Sequence, residues 1–273
     1  MTDGAPDVRP DSAGRPSQAS YEIDGHHVVP TELASGPWYA EQQHGACLLG
    51  LLTRFMEQVP VHQPMRFTRV TADLSRAVPM RPITVTARAL RDGRRVQSLE
   101  ALLSIDGDVL SRATATRIRV EPGLVPAAAI PSDRDDDAPP PFPPSGTGWD
   151  FDRPTFHDCL EVRTLESEDR LEARTWFRLA APLVAGEEPS PTVRIASIAD
   201  MTISAGGRLG SGWVSINPEV SLQIEREPEG EWICVSSVVR FTDDGVGMSE
   251  GVLHDLGRRI GRTAKSLLNH RPG

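Results

Sequence analysis

Residues 121–150 interrupt every periodic pattern in the chain, and the same order of elements recurs on either side of them. The segment carries Asp133, Asp135, Asp136 and Asp137, then Pro139, Pro140, Pro141, Pro143 and Pro144. Such a run buries too little apolar surface to offset chain entropy, and its prolines favour an extended conformation, so it reads as a linker between two halves. Upstream, Leu48, Leu51, Leu52, Phe55 and Val59 recur at helical spacing and predict a helix over 43–59, stopped by Pro60. Extended runs follow at Arg66–Ser75, Ile83–Leu90, Val96–Ile105 and Val109–Val120, with Asp92-Gly93 and Asp106-Gly107 as hairpin turn signals. Downstream, Ser190 is a good N-cap with Pro191 at the first helical position, predicting a helix to about Ala205, before Gly206-Gly207. Strands are then expected over Trp213–Ile224, Trp232–Phe241, Gly247–Leu253 and Ile260–Leu268. Both halves therefore read as one helix followed by strands. Asp106-Gly107 before Arg112-Ala113-Thr114-Ala115-Thr116 is echoed by Asp255-Leu256-Gly257 before Arg262-Thr263-Ala264-Lys265-Ser266. Both helices are apolar nearly all round, which places each inside a curved antiparallel sheet, and two such units side by side could join their sheets and cover their edges.

Size and charge narrow the function. At 273 residues the chain suits two modest halves, 21–120 and 151–273, behind a loose tail at 1–20. No stretch approaches twenty consecutive apolar residues, and the first twenty lack a basic region followed by an apolar run. Neither a membrane span nor a secretory signal is expected. Cys47, Cys159 and Cys234 are widely spaced and odd in number, arguing against a disulfide framework and for a reducing cytoplasm. A net charge of −9 is the wrong sign for gripping nucleic-acid phosphates. His26-His27 and His62 have no partners at metal-ligand spacing, so no metal is expected. Of the 29 basic residues, Lys265 is the single lysine.

The doubled order resembles the double hot-dog fold, an α+β architecture, of type II acyl-CoA thioesterases and their thioesterase-like relatives. Three segments carry the resemblance. Gln43-His44-Gly45 leads into the first helix, where that family has a Gly-Gly-Gln-type segment; Ala72 to Pro79 is similar to its strand ending in Leu-Arg-Pro; and Asp200 falls in the second helix. The resemblance implies hydrolysis of an acyl-CoA thioester by a water held by an aspartate, a hydroxyl and a glutamine, with no dissociable cofactor and with assembly into a homo-oligomer. Position by position, Asp200 takes the aspartate role and Ser215 the hydroxyl role, while Lys265 occupies the glutamine position.

Read as residues, these positions also have plain structural alternatives. Asp200 lies among Ile195, Ile198, Ala199, Met201 and Ile203, where an unpaired carboxylate costs several kcal/mol, so it either caps a neighbouring element or serves a site. Ser215 alternates with Val214 and Ile216 and shares its strand face with Asn217, a competing candidate for the same polar patch. Lys265 shares a face with Thr263 and Leu267, where its ammonium could pair with Asp200, stabilise an oxyanion or reach solvent. His44 and Gly45, at the start of the first helix, could present a ring or backbone N–H groups to a carbonyl or phosphate. Asp152 and His157 have the spacing of the hydratase-type hot-dog motif but precede the second helix and lack its Asn-Pro. The leading expectation is an acyl-CoA thioesterase using Asp200, Ser215 and Lys265, with His44, Gly45 and Asn217 contacting substrate. Its rivals are a non-catalytic acyl-thioester binding protein and a hot-dog enoyl-CoA hydratase.

Overall fold

The computed structural model describes residues 19–130, 151–165, 171–202, 209–210 and 212–271; the start of the tail, most of the linker and the predicted Gly206-Gly207 terminus lie outside them. Helix α1 (Gly45–Glu57) is buried without a break from Ala46 to Thr53, as expected of a segment with no polar face. Helix α2 (Pro191–Ala199) starts where predicted, with Ser190 Oγ accepting from the Val193 N–H at 3.0 Å. The two helices pack on each other at Gly50, where an added methyl would sit 2.1 Å from Ser197 Oγ and 3.0 Å from a Leu183 methyl. Close approach of the helices at this crossing requires a glycine.

A continuous antiparallel sheet wraps the helix pair. Its first-half strands are β1 (Tyr21–Asp24), β2 (His27–Pro30), β3 (Met65–Asp73), β4 (Ile83–Asp92), β5 (Val96–Ile105) and β6 (Asp108–Arg119). Its second-half strands are β7 (Leu160–Leu165), β8 (Glu172–Leu179), β9 (Val214–Ile216), β10 (Glu219–Ile224), β11 (Ile233–Phe241), β12 (Val246–His254) and β13 (Arg259–His270). The spatial order is β1-β2-β4-β5-β6-β3-β10-β13-β12-β11-β8-β7, with β9 beside β13. The halves meet at β3 and β10, the first long strand after each helix, in a register that sets Thr71 opposite Ser221. Outward from that seam, β6, β5 and β4 mirror β13, β12 and β11, so the sequence echo marks equivalent hairpins. The outer edge of β1 is also covered: Tyr21 exchanges backbone hydrogen bonds with Leu183 and Ala185, which follow β8. Covering an edge in this way removes a row of unpaired backbone groups. The architecture is the α+β double hot-dog.

The structure departs from the sequence reading in three places. The second helix ends at Ala199 rather than Ala205, because Asp200 serves as its C-cap. The strand expected over Trp213–Ile224 is split into β9 and β10: Pro218 has no N–H for the ladder, and the chain leaves β13 at Asn217-Pro218 before rejoining it. Strands β1, β2, β7 and β8 were not anticipated. In β7 and β8 the charged residues Glu161, Arg163 and Arg178 pair with one another along the sheet margin, which hides the apolar alternation of Leu160 and Val162. Of the two turn signals, Asp106-Gly107 forms a tight hairpin with φ of 52° and 91°, as a two-residue turn requires. Among the described residues no helix is long and apolar enough to cross a membrane.

The helix crossing yields a test. Gly50→Ala should lower stability by about 1–3 kcal/mol, the usual cost of overpacking. Adding Ser197→Ala removes the hydroxyl 2.1 Å away and leaves the nearest Ser197 carbon at 3.3 Å. Thermal unfolding of the double variant should therefore recover most of the lost midpoint.

Candidate active site

The site begins where α2 stops. Asp200 keeps near-helical dihedrals (φ −82°, ψ −7°) as the C-cap and is only 5% exposed. Its backbone carbonyl, one of those a helix end leaves without a partner, accepts from Lys265 Nζ at 2.6 Å. The same ammonium donates to Asp200 Oδ1 at 3.1 Å. Lys265 reaches it from β13, on the inward face shared with Thr263 and Leu267, and is 8% exposed. A cation at a helix C-terminus is favoured by the helix dipole as well as by its partner carboxylate.

A second donor reaches the same oxygen. The chain leaves β9 at Asn217, whose Nδ2 donates to Asp200 Oδ1 at 3.0 Å and to the Glu219 carbonyl at 3.3 Å. Oδ1 thus carries two hydrogen bonds, while no donor among the described residues reaches Oδ2. Oδ2 instead lies against the first turn of α1, where a methyl added to Gly45 would sit 2.7 Å away. Gly45 therefore makes room for the carboxylate, and the positive end of the α1 dipole faces it. Residues from both halves meet at this point.

The start of α1 is held from several sides. Gln43 accepts from Tyr21 Oη at 2.9 Å and donates to the Pro79 carbonyl at 2.8 Å. His44 caps the helix: its Nδ1 accepts from the Ala46 N–H at 3.0 Å. The His44 ring packs against Phe156 and meets His157 edge to face, with centroids 5.4 and 5.1 Å away. Burial, assisted by the Lys265 ammonium, lowers the His44 pKa to about 3. Burial, then His44, lowers that of His157 to about 3 as well. Both rings are neutral at ordinary pH.

These groups line one cavity of about 680 Å³. Asp200, Lys265, Asn217, Ser215, His44 and His157 contribute its polar wall, while Leu48, Leu74, Val78, Met201 and Leu267 belong to a larger apolar part. A mostly apolar pocket with a few converging polar groups is the usual form of a small-molecule site. Of the residues expected here, Asp200, Lys265 and Asn217 are joined by direct hydrogen bonds, and His44 and Gly45 stand at the adjoining helix start. Ser215 lines the cavity, but its hydroxyl donates to Asn269 Oδ1 across the β9–β13 pair, so Asn217 rather than Ser215 touches the carboxylate. His157 was noticed only for its spacing from Asp152, which is exposed and not part of the cavity wall. A better signal was the capping box at Thr155 and Asp158, which fixes the short 3-10 turn carrying His157.

With this geometry in hand, the chain matches two family models in order along its length. Residues 34–118 match the acyl-CoA thioesterase N-terminal domain and residues 130–268 the acyl-CoA thioesterase C-terminal domain. Among solved structures it is similar to a candidate thioesterase from Novosphingobium aromaticivorans, with TM-score 0.71 and 21% identity over 93% of this chain and 99% of that one. It is also similar to a candidate thioesterase II from Thermobifida fusca, with TM-score 0.69 and 17% identity over 92% and 94% of the two chains. An acyl-CoA thioesterase II from Mycobacterium marinum follows with TM-score 0.63 and 14% identity over 92% and 94%. At these identities the structural likeness speaks for the fold. No curated protein sequence matches the chain.

The paired histidines make stability pH-dependent. In the unfolded chain each imidazole takes up a proton near its ordinary value of 6.5, whereas the folded protein resists protonation down to about 3. The unfolded state thus binds more protons throughout that window, so stability falls as pH drops from about 6.5 toward 3. Each histidine contributes up to about 1.4 kcal/mol per pH unit. Chemical denaturation at pH 7 and pH 5 should show a smaller loss for His157→Phe than for the parent; equal losses would mean that His157 is protonated in the fold.

Proposed function

Because the chain belongs to the acyl-CoA thioesterase family, we propose that it hydrolyses acyl-CoA or a related thioester with a water held on Asp200. The observation that carries this reading is the division of labour between the two carboxylate oxygens. Oδ1 is occupied by Lys265 and Asn217, whereas Oδ2 is free of protein donors among the described residues and lies against Gly45, which lines the cavity together with Asp200. A water donating to Oδ2 would be polarised for attack on the acyl carbon. As the new C–O bond forms, the water proton passes to Asp200 and the carbonyl oxygen becomes an oxyanion. Collapse of that intermediate breaks the C–S bond, and the departing thiolate recovers the proton. Ser215 lines the same cavity, and with its own proton committed to Asn269 its oxygen is left to act as an acceptor there.

In this reading Lys265 positions Asp200. Its ammonium holds both the backbone carbonyl and Oδ1, and a glutamine amide has two N–H donors for the same pair of acceptors. The apolar cavity wall would receive the acyl chain. We set this activity in fatty-acyl metabolism, with the three free cysteines in favour of a reducing cytoplasm and the family resemblance in favour of a homo-oligomer.

The Lys265 pair also favours a second reading. With Oδ1 held by an ammonium and an amide, the carboxylate is tied into the fold, as expected of a protein that binds acyl thioesters without cleaving them. Release of free thiol from a panel of acyl-CoAs separates the two. The hydrolase reading expects turnover by the parent, a loss of about 100-fold or more in Asp200→Asn from removal of the general base, and retained turnover in Lys265→Gln. An unchanged rate in Asp200→Asn removes Asp200 from the mechanism. Complete loss in a folded Lys265→Gln shows that the positive charge itself is required. Tight binding of acyl-CoA by a parent that releases no thiol favours the second reading.

A further inference from the structure

We infer that His44 is a catalytic residue acting as a neutral, tautomerically fixed Nε2–H donor to the thioester carbonyl oxygen, an inference that rests on the hydrolase reading above. The argument starts from the helix cap. A backbone N–H can only donate, so the 3.0 Å contact from the Ala46 N–H requires a lone pair on His44 Nδ1. In a neutral imidazole the single ring proton must then be on Nε2, at the opposite side of the ring. Among the described residues Nε2 has no hydrogen-bond acceptor, and it is not among the buried polar atoms left without a partner. It therefore opens to the cavity that His44 lines together with Asp200.

The surroundings keep the ring in that state. Lys265 lies close enough to disfavour a second positive charge, and Phe156 and His157 fix the ring plane from two sides. His44 immediately precedes Gly45, which borders Asp200 Oδ2, so a carbonyl whose carbon faces a water on Oδ2 presents its oxygen toward the start of α1. A neutral N–H donor serves an oxyanion without surrendering a proton. The water proton still passes to Asp200 and on to the thiolate, and His44 ends the cycle unchanged. The helix cap thus sets the histidine tautomer needed in the cavity.

The test separates the cap from the donor. His44→Ser keeps a side-chain oxygen that can cap α1 but removes the ring N–H, and His44→Asp provides a second capping replacement, with no side-chain donor when ionised. The inference expects both to unfold near the parent midpoint and to lose about 100-fold in kcat with little change in KM, the scale of one oxyanion donor. Nitrogen-detected NMR of the parent should show His44 as the Nε2–H tautomer from neutral pH down to about pH 5. A folded His44→Ser that hydrolyses thioesters within about threefold of the parent overturns the inference and leaves the hydrolase reading intact, as does an Nδ1–H tautomer. A parent with no hydrolysis of any thioester overturns both.

Discussion

The buried pair of Asp200 and Lys265 is the interaction on which the rest of the site depends. Taking two opposite charges out of water costs several kcal/mol for each ion, and mutual attraction alone repays that only with good geometry and further hydrogen bonds. Here the further bonds come from separate elements. Lys265 satisfies the terminal carbonyl of α2, Asn217 shares Oδ1, and the first turn of α1 faces Oδ2 across the space left by Gly45. The pair is consequently a junction: α1, α2, β13 and the break between β9 and β10 must all be in place for it to form. A site built this way cannot be assembled by either half alone.

The duplication explains both the position of this junction and its asymmetry. Because the buried helices cross at Gly50 and Ser197, the end of α2 is brought beside the start of α1, and the end of α1 beside the start of α2. The counterpart junction exists. Glu57, the last residue of α1, accepts from Ser190 Oγ, the α2 N-cap, at 2.7 Å. Arg117 on β6 donates to the Met56 and Val59 carbonyls, closing the end of α1 much as Lys265 closes α2. Burial raises the Glu57 pKa, with the hydrogen bonds from Ser190 and Thr192 opposing it. The acid there is bound directly by the opposite cap hydroxyl, whereas Gly45 offers Asp200 no side chain. The same architecture therefore produces a closed joint on one side and, on the other, a carboxylate oxygen that no donor among the described residues reaches.

The caps connect fold and chemistry in a further way. A serine cap at Ser190 does no more than start α2 and hold Glu57. A histidine cap at His44 also accepts from a first-turn N–H, but it carries a second ring nitrogen on a residue that lines the cavity. One local requirement, an acceptor for an orphan helix N–H, is met by two residue types with different consequences at their far ends.

The doubled helix-and-strand order, the N-cap of α2, the Asp106-Gly107 turn and the oddity of a lone acid in an apolar helix were all legible in the chain, because each rests on local spacing and local backbone preference. Lys265 stood out as the single lysine and, through the family resemblance, as the residue at the glutamine position. Three things were decided only by the tertiary structure. The helix stops at Ala199 with Asp200 as its C-cap, and the carbonyl left at that end is taken by a lysine 65 positions later, a contact without local trace. Asn217 rather than Ser215 bonds the carboxylate because the Ser215 hydroxyl is drawn to Asn269 on the neighbouring strand. His157 joins His44 because the start of the second half folds back over the first helix. Periodicity and capping act over a few residues and can be read along the chain; which oxygen of Asp200 is occupied and which is open depends on groups that only long-range sheet pairing brings together.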